Sequence, residues 1–220
     1  MLSIESLSRN ITKVLEKQLD LDHDRASVIQ YGLFAFFHTV LSILIVAIIG
    51  AIFNVMIEAL LISFVIAIFR KSSGGVHAST PTNCAIIGVI ISVLPAYIIS
   101  KVTLDLNYVI FVGIIVFIVS MILTYRLAPV DSPNKPIRKK EKIKRLRKVS
   151  IIILAIYIIL VTLNILLYSL NKNVIFLAYS ICIYIGVIWQ VFTLTKLGNI
   201  IVNIMDSLLI KILNIRGDKL

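Results

Sequence analysis

The chain has 220 residues, of which 59% are apolar and only 33 are charged, 22 basic and 11 acidic, for a net charge of +11 and a mean hydropathy of +1.02. A soluble domain of this size needs a largely polar surface, so 15% charged residues exclude a soluble enzyme, a disordered regulator and a collagen-like fibre, and leave an integral membrane domain that uses lipid as its solvent. The positive charge does not read as nucleic-acid binding, because nine of the 14 residues Lys135–Lys148 are Lys or Arg with no aromatic scaffold beside them, the pattern of a cytoplasmic loop against anionic lipid headgroups.

In chain order, Ile4, Leu7, Ile11, Val14, Leu15 and Leu19 recur at helical spacing with Glu5, Arg9, Lys13, Glu16 and Lys17 between them, which predicts an amphipathic helix within residues 1–25 lying on the membrane. It has no continuous apolar core of the kind a cleavable signal peptide carries, so this segment is expected in the mature protein. Ala26–Ile57 then runs 32 residues without Asp, Glu, Lys or Arg, too long for one straight crossing of about 20 residues. Gly50 and Asn54 mark a break, giving a span over 31–50 and a short one over 54–69 that contains Glu58. Further spans are predicted over 84–100, with Pro95 inside it, and over 107–126. A basic loop, 127–148, precedes two 23-residue charge-free runs, Val149–Asn171 and Asn173–Thr195. Cys182 lies in the second run and reads as packing. The tail 197–215 repeats apolar residues as a second amphipathic helix.

The expected fold class is therefore all-α: a polytopic membrane protein with six transmembrane helices over 31–194 and amphipathic interfacial helices at both termini, forming one integral membrane domain over 1–220. Six spans with both termini inside place segments 1–30, 70–83, 126–148 and 195–220 in the cytoplasm, and these hold 20 of the 22 basic residues. Only Lys101 and Lys172 fall outside.

The candidate chemistry lies in the cytoplasmic loop Arg70-Lys71-Ser72-Ser73-Gly74-Gly75-Val76-His77-Ala78-Ser79-Thr80-Pro81-Thr82-Asn83-Cys84, which alone among the segments joining two spans holds both a His and a Cys. Thr80 suits an N-cap and Pro81 the first helical position, which puts Cys84 in the first turn of a helix whose peptide dipoles favour a thiolate. Gly74 and Gly75 permit a tight reversal that brings His77, a base, back to the helix start. Spacing alone leaves three readings open: a catalytic pair, a plain polar loop, or part of a metal site. The metal reading is the weakest, since structural zinc needs four ligands and His23 and His38 are isolated, so neither a metal nor another cofactor is expected.

Arg70, Gly75, His77 and Cys84 at the mouth of two spans resemble the signature loop of the AgrB (accessory gene regulator B) family of membrane cysteine endopeptidases. Ala128-Pro129-Val130-Asp131-Ser132-Pro133-Asn134-Lys135-Pro136-Ile137, followed by basic residues, is similar to the segment after that family's fourth span, and the likeness extends over nearly the whole chain, including Tyr31-Gly32. The resemblance implies an enzyme of the bacterial cell membrane, with both termini and the catalytic loop cytoplasmic, that removes the C-terminal part of an AgrD-like precursor peptide and cyclises the remainder to a thiolactone or lactone quorum-sensing signal. It implies Cys84 as nucleophile and His77 as base. Asn83, Gln30 and Ser79 are candidates to orient His77, and Arg70, Arg138, Lys139 and Lys140 candidates to meet acidic precursor residues. Precursor peptide and membrane lipids are the implied partners, and a homodimer is compatible with the small size of the family's members. The residues also leave two other functions open, a transporter using Glu58, His38 and Pro95, and a non-enzymatic scaffold recruiting partners through the basic segment.

Overall fold

In a computed structural model, residues 4–131 and 139–217 are described; they form eight helices, and no strand beyond an isolated parallel bridge between Gly74 and Val130. The helices are α1 (Ile4–Leu19), α2 (His23–Ile52), α3 (Met56–Ser73), α4 (Pro81–Ile99), α5 (Leu106–Leu127), α6 (Lys140–Asn171), α7 (Ile175–Phe192) and α8 (Lys196–Gly217). Arg138 and residues 132–137 of the second sequence motif lie outside the described residues.

The chain divides into two compact units, Met1–Ile45 and Val46–Leu220. In the first, α1 ends at Leu19, Asp20 takes a left-handed φ of 48°, and α2 begins at His23. An exposed Asp22–Arg25 ion pair at 3.4 Å spans that start.

In the second unit, α2 stops where Gly50 and Asn54 mark the break: Asn54 adopts φ 57° and Val55 N–H returns to the Gly50 carbonyl at 2.8 Å. The bundle that follows has an inverted pattern. On α5 the buried positions are Val109, Gly113, Val116, Ser120 and Thr124, whereas Phe111, Ile114, Ile118 and Ile122 are exposed. Small and hydroxyl residues thus face the neighbouring helices and large apolar ones face outward, as lipid requires. Gly186 brings α7 so close to α3 that a Cβ there would lie 2.6 Å from the Val65 side chain. Tyr157 on α6 donates its hydroxyl to the Val65 carbonyl at 2.9 Å, satisfying a buried polar group in the core.

Five described helices, α2 from Asp24, α4, α5, α6 and α7, are long and apolar enough to cross a membrane, as in a multi-pass membrane protein. The sixth expected span corresponds to α3, which fails on composition because its 18 residues carry Glu58, Arg70 and Lys71. It packs instead against α4, α6 and α7, with Ala59, Ile62 and Phe69 fully buried. The basic loop expected over 127–148 is helical from Lys140 onward. Lys140–Lys148 continue directly into α6, a 32-residue helix, because Lys, Arg and Glu are good helix formers and no Gly or Pro interrupts them.

Candidate functional site

Four stretches distant in sequence meet at one end of this bundle. The last turn of α3 is tied to α6, about three turns into that helix, by Ser150 Oγ donating to Ser72 Oγ at 2.9 Å, and to the segment after α5 by Val130 N–H donating to the Ser73 carbonyl at 2.9 Å. That segment is held in turn by Arg147, whose Nε donates to the Ala128 carbonyl at 2.8 Å. The end of α7 supplies Gln190, which is fully buried and donates through Nε2 to Ser73 Oγ at 3.0 Å and the Gly74 carbonyl at 2.7 Å. Thr193, just beyond α7, accepts Val76 N–H on its carbonyl at 3.3 Å.

Into this frame the glycine pair fits only without side chains. Gly74 has φ 69° and Gly75 φ 125°, both disfavoured for residues with a Cβ; a Cβ on Gly74 would lie 2.1 Å from the Val130 carbonyl oxygen, and one on Gly75 would lie 2.6 Å from Thr193 Oγ1. The reversal they make sends the chain past His77 to Thr80, whose hydroxyl accepts Asn83 N–H at 3.1 Å as the N-cap of α4, with Pro81 at its start. Cys84 is half-buried in that first turn, and its Sγ lies 4.0 Å from His77 Nδ1.

Arg70 lies beneath the loop. One of its terminal nitrogens, Nη2, donates to the Val76 carbonyl, while Nε is buried without a partner. Its charge reaches both members of the pair. His77 keeps an exposed edge, yet removal of part of the ring from water, and next the Arg70 charge, push its pKa down to about 4. The imidazole is therefore neutral at physiological pH, with a lone pair free to take a thiol proton.

The other sequence candidates are placed as follows. Gly75 shapes the loop. Asn83 and Ser79 turn to Asp206 on α8 and not to His77: Asn83 Nδ2 donates to Asp206 Oδ1 at 2.7 Å and Ser79 N–H to Asp206 Oδ2 at 3.1 Å. Gln30 sits on α2 within the first unit. Lys139 precedes the exposed start of α6 at Lys140. Among the described residues, no three His, Cys, Asp or Glu side chains are gathered as metal ligands would be.

Sequence reasoning missed Gln190, Thr193 and Asp206. Gln190 carried a signal, as an amide inside a charge-free run, and so did Asp206, which is the only acidic residue between Glu141 and Asp218.

The family model for accessory gene regulator B, AgrB, matches residues 8–194 of the chain. An AgrB-like protein of Clostridium perfringens strain SM101 / Type A is 38% identical over 218 residues, 96% of this chain and 100% of that relative, and the AgrB-like protein 2 of Clostridium perfringens strain 13 / Type A has the same identity and coverage. No solved structure matches.

Proposed function

The chain belongs to the accessory gene regulator B family, and from that premise we propose that it is a membrane cysteine endopeptidase of a quorum-sensing system, acting on an AgrD-like precursor peptide. The observation that carries the reading is the approach of His77 Nδ1 to within 4.0 Å of Cys84 Sγ at the start of α4. Cys84 attacks the scissile carbonyl while His77 takes the thiol proton; His77 then delivers that proton to the leaving amine as the peptide C–N bond breaks. The acyl group remains on sulfur as a thioester. An internal Cys or Ser of the precursor attacks that thioester, returns the proton to the Cys84 thiolate through His77, and closes a thiolactone or lactone ring without a further energy source.

The neutral state of His77, with the Arg70 charge beside it, supports its role as the base. The basic start of α6 supports an acidic partner. Lys140, Lys142, Lys144 and Arg145 cluster at the start of a helix, where a positive charge in the first turn opposes the helix dipole by about 0.3–1 kcal/mol. We assign them, with Arg138 and Lys139, to capture of acidic precursor residues and anionic headgroups.

Among the described residues of the second unit, the basic residues Arg70, Lys71, Arg126 and those of α6 lie at the site end and Lys101 and Lys172 at the opposite end, which supports a cytoplasmic site loop. α8, which begins just beyond the end of α7 that bears the site, is assigned to the same side.

The test is precursor cleavage in membranes containing the full chain. Cys84→Ala and His77→Ala each abolish it with protein levels unchanged; normal cleavage by either refutes the pair.

A further inference from the structure

On α8 the positions facing the bundle are Gly198, Val202 and Asp206, one helical repeat apart, while Ile200, Ile204 and Leu208 are exposed. A carboxylate on the inner stripe of so apolar a helix is costly unless donors meet it. Asp206 is 8% exposed and finds two, both from the candidate site. Asn83 Nδ2 comes from the residue before Cys84, and Ser79 N–H from the loop two residues after His77. Burial alone would raise the Asp206 carboxyl, but the hydrogen bonds from Asn83 and Ser79 outweigh it and hold the group below the ordinary carboxylate range.

The loop is thus fastened on both sides of His77. Before it, the Gly74 and Val76 backbone is held by Gln190 and Thr193. After it, Ser79 is held by Asp206, through the same side chain that grips the first turn of α4. Between these points only His77 and Ala78 lack such an anchor, so the distance from imidazole to thiol is set by where α8 places its carboxylate.

We propose that Asp206 is a positioning residue for the Cys84–His77 pair: it latches the His77 loop to the start of the Cys84 helix, so that α8, which lies beyond the residues matched by the family model, completes the site. This inference rests on the catalytic reading of that pair. Displacement of a reacting group by about 1 Å can cost on the order of 10²-fold in rate, which is the loss expected in precursor cleavage for Asp206→Ala.

A direct readout is the pH profile of Cys84 alkylation by iodoacetamide, measured on full-length protein in lipid vesicles with Cys182→Ala as background. If Asp206 positions the loop, Asp206→Ala takes on the profile of His77→Ala, because the thiol loses its base in both. Asn83→Asp, which sets two carboxylates face to face, does the same. The reciprocal double variant N83D/D206N restores the contact with donor and acceptor exchanged, since the amide introduced at 206 donates to the new carboxylate and its oxygen still accepts Ser79 N–H. It returns alkylation to within about threefold of the unmodified background, which also shows that the single variants lost geometry and not folding. A wild-type profile for Asp206→Ala beside an altered one for His77→Ala overturns the latch and leaves the pair standing. A double variant no better than Asn83→Asp also overturns the latch. A wild-type profile for His77→Ala overturns the pair, and the latch with it.

Discussion

Replacing Gly74 by Ala tests whether the loop geometry is as tightly determined as its surroundings indicate. The residue sits at φ 69° and ψ −148°, a region nearly closed to residues with a Cβ, at a cost of about 1–3 kcal/mol. The added methyl would lie 2.1 Å from the Val130 carbonyl oxygen, which is backbone and cannot rotate away. Relief requires the strand-like segment 128–131 or the loop to move by about 1 Å, which breaks the Val130 N–H to Ser73 carbonyl bond at 2.9 Å and removes about 1 kcal/mol more. The sum, about 2–4 kcal/mol, corresponds to roughly 30- to 700-fold in an equilibrium between competent and displaced loop, and cleavage falls by that factor. Helix content is unchanged, because Gly74 lies outside every helix. Gly88→Ala serves as the control: that glycine is inside α4, nothing lies within 4 Å of an added Cβ, and the exchange stabilises the helix by up to about 1 kcal/mol. Precursor cleavage assayed in membranes, with circular dichroism of the purified protein, measures both. Cleavage by Gly74→Ala within threefold of wild type would refute the reasoning, since neither the strain nor the clash could then be real.

Because the folded state holds the pKa of His77 at about 4 against 6.5 for the free side chain, the unfolded chain binds more protons between those values; stability contributed by this group is complete above 6.5 and declines as pH falls toward 4, which thermal unfolding against pH will read. Arg70→Gln removes one of the two causes, so the His77 titration followed by NMR moves upward; a titration that stays in place means the guanidinium charge does not reach the ring. For topology, single cysteines replacing Lys139 and Lys172 on a cysteine-free background are expected to react differently with an impermeant maleimide in intact cells, position 172 reacting at once and position 139 only after permeabilisation; labelling of 139 in intact cells reverses the assigned orientation. Joint replacement of Arg138, Lys139 and Lys140 by Gln weakens precursor capture at low salt, and the wild-type advantage shrinks as the screening length falls below roughly 10 Å; equal cleavage rates at limiting substrate and low salt would leave this segment a headgroup-binding element only.

What the sequence by itself determined is local. Charge-free runs with apolar periodicity define helices for lipid because each residue's transfer energy is its own, so α4, α5 and α7 appear within three residues of the stretches read from composition. Thr80, Pro81 and the position of Cys84 were legible for the same reason: a cap needs only its next three residues. The Asn54 break was legible because a left-handed turn is a property of the chain at that point. The tertiary structure alone decided that α3, which its Glu58, Arg70 and Lys71 already set apart by composition, packs against α4, α6 and α7, since hydropathy sees an apolar stretch but not what covers it. It alone brought Gln190 and Thr193 to the glycine turn and Asp206 to Ser79 and Asn83. Those contacts join residues more than 100 positions apart, and no periodicity or cap records them. They follow from the crossing of α3 and α7 at Gly186 and from the return of α8 against α4, where close packing fixes which polar group meets which.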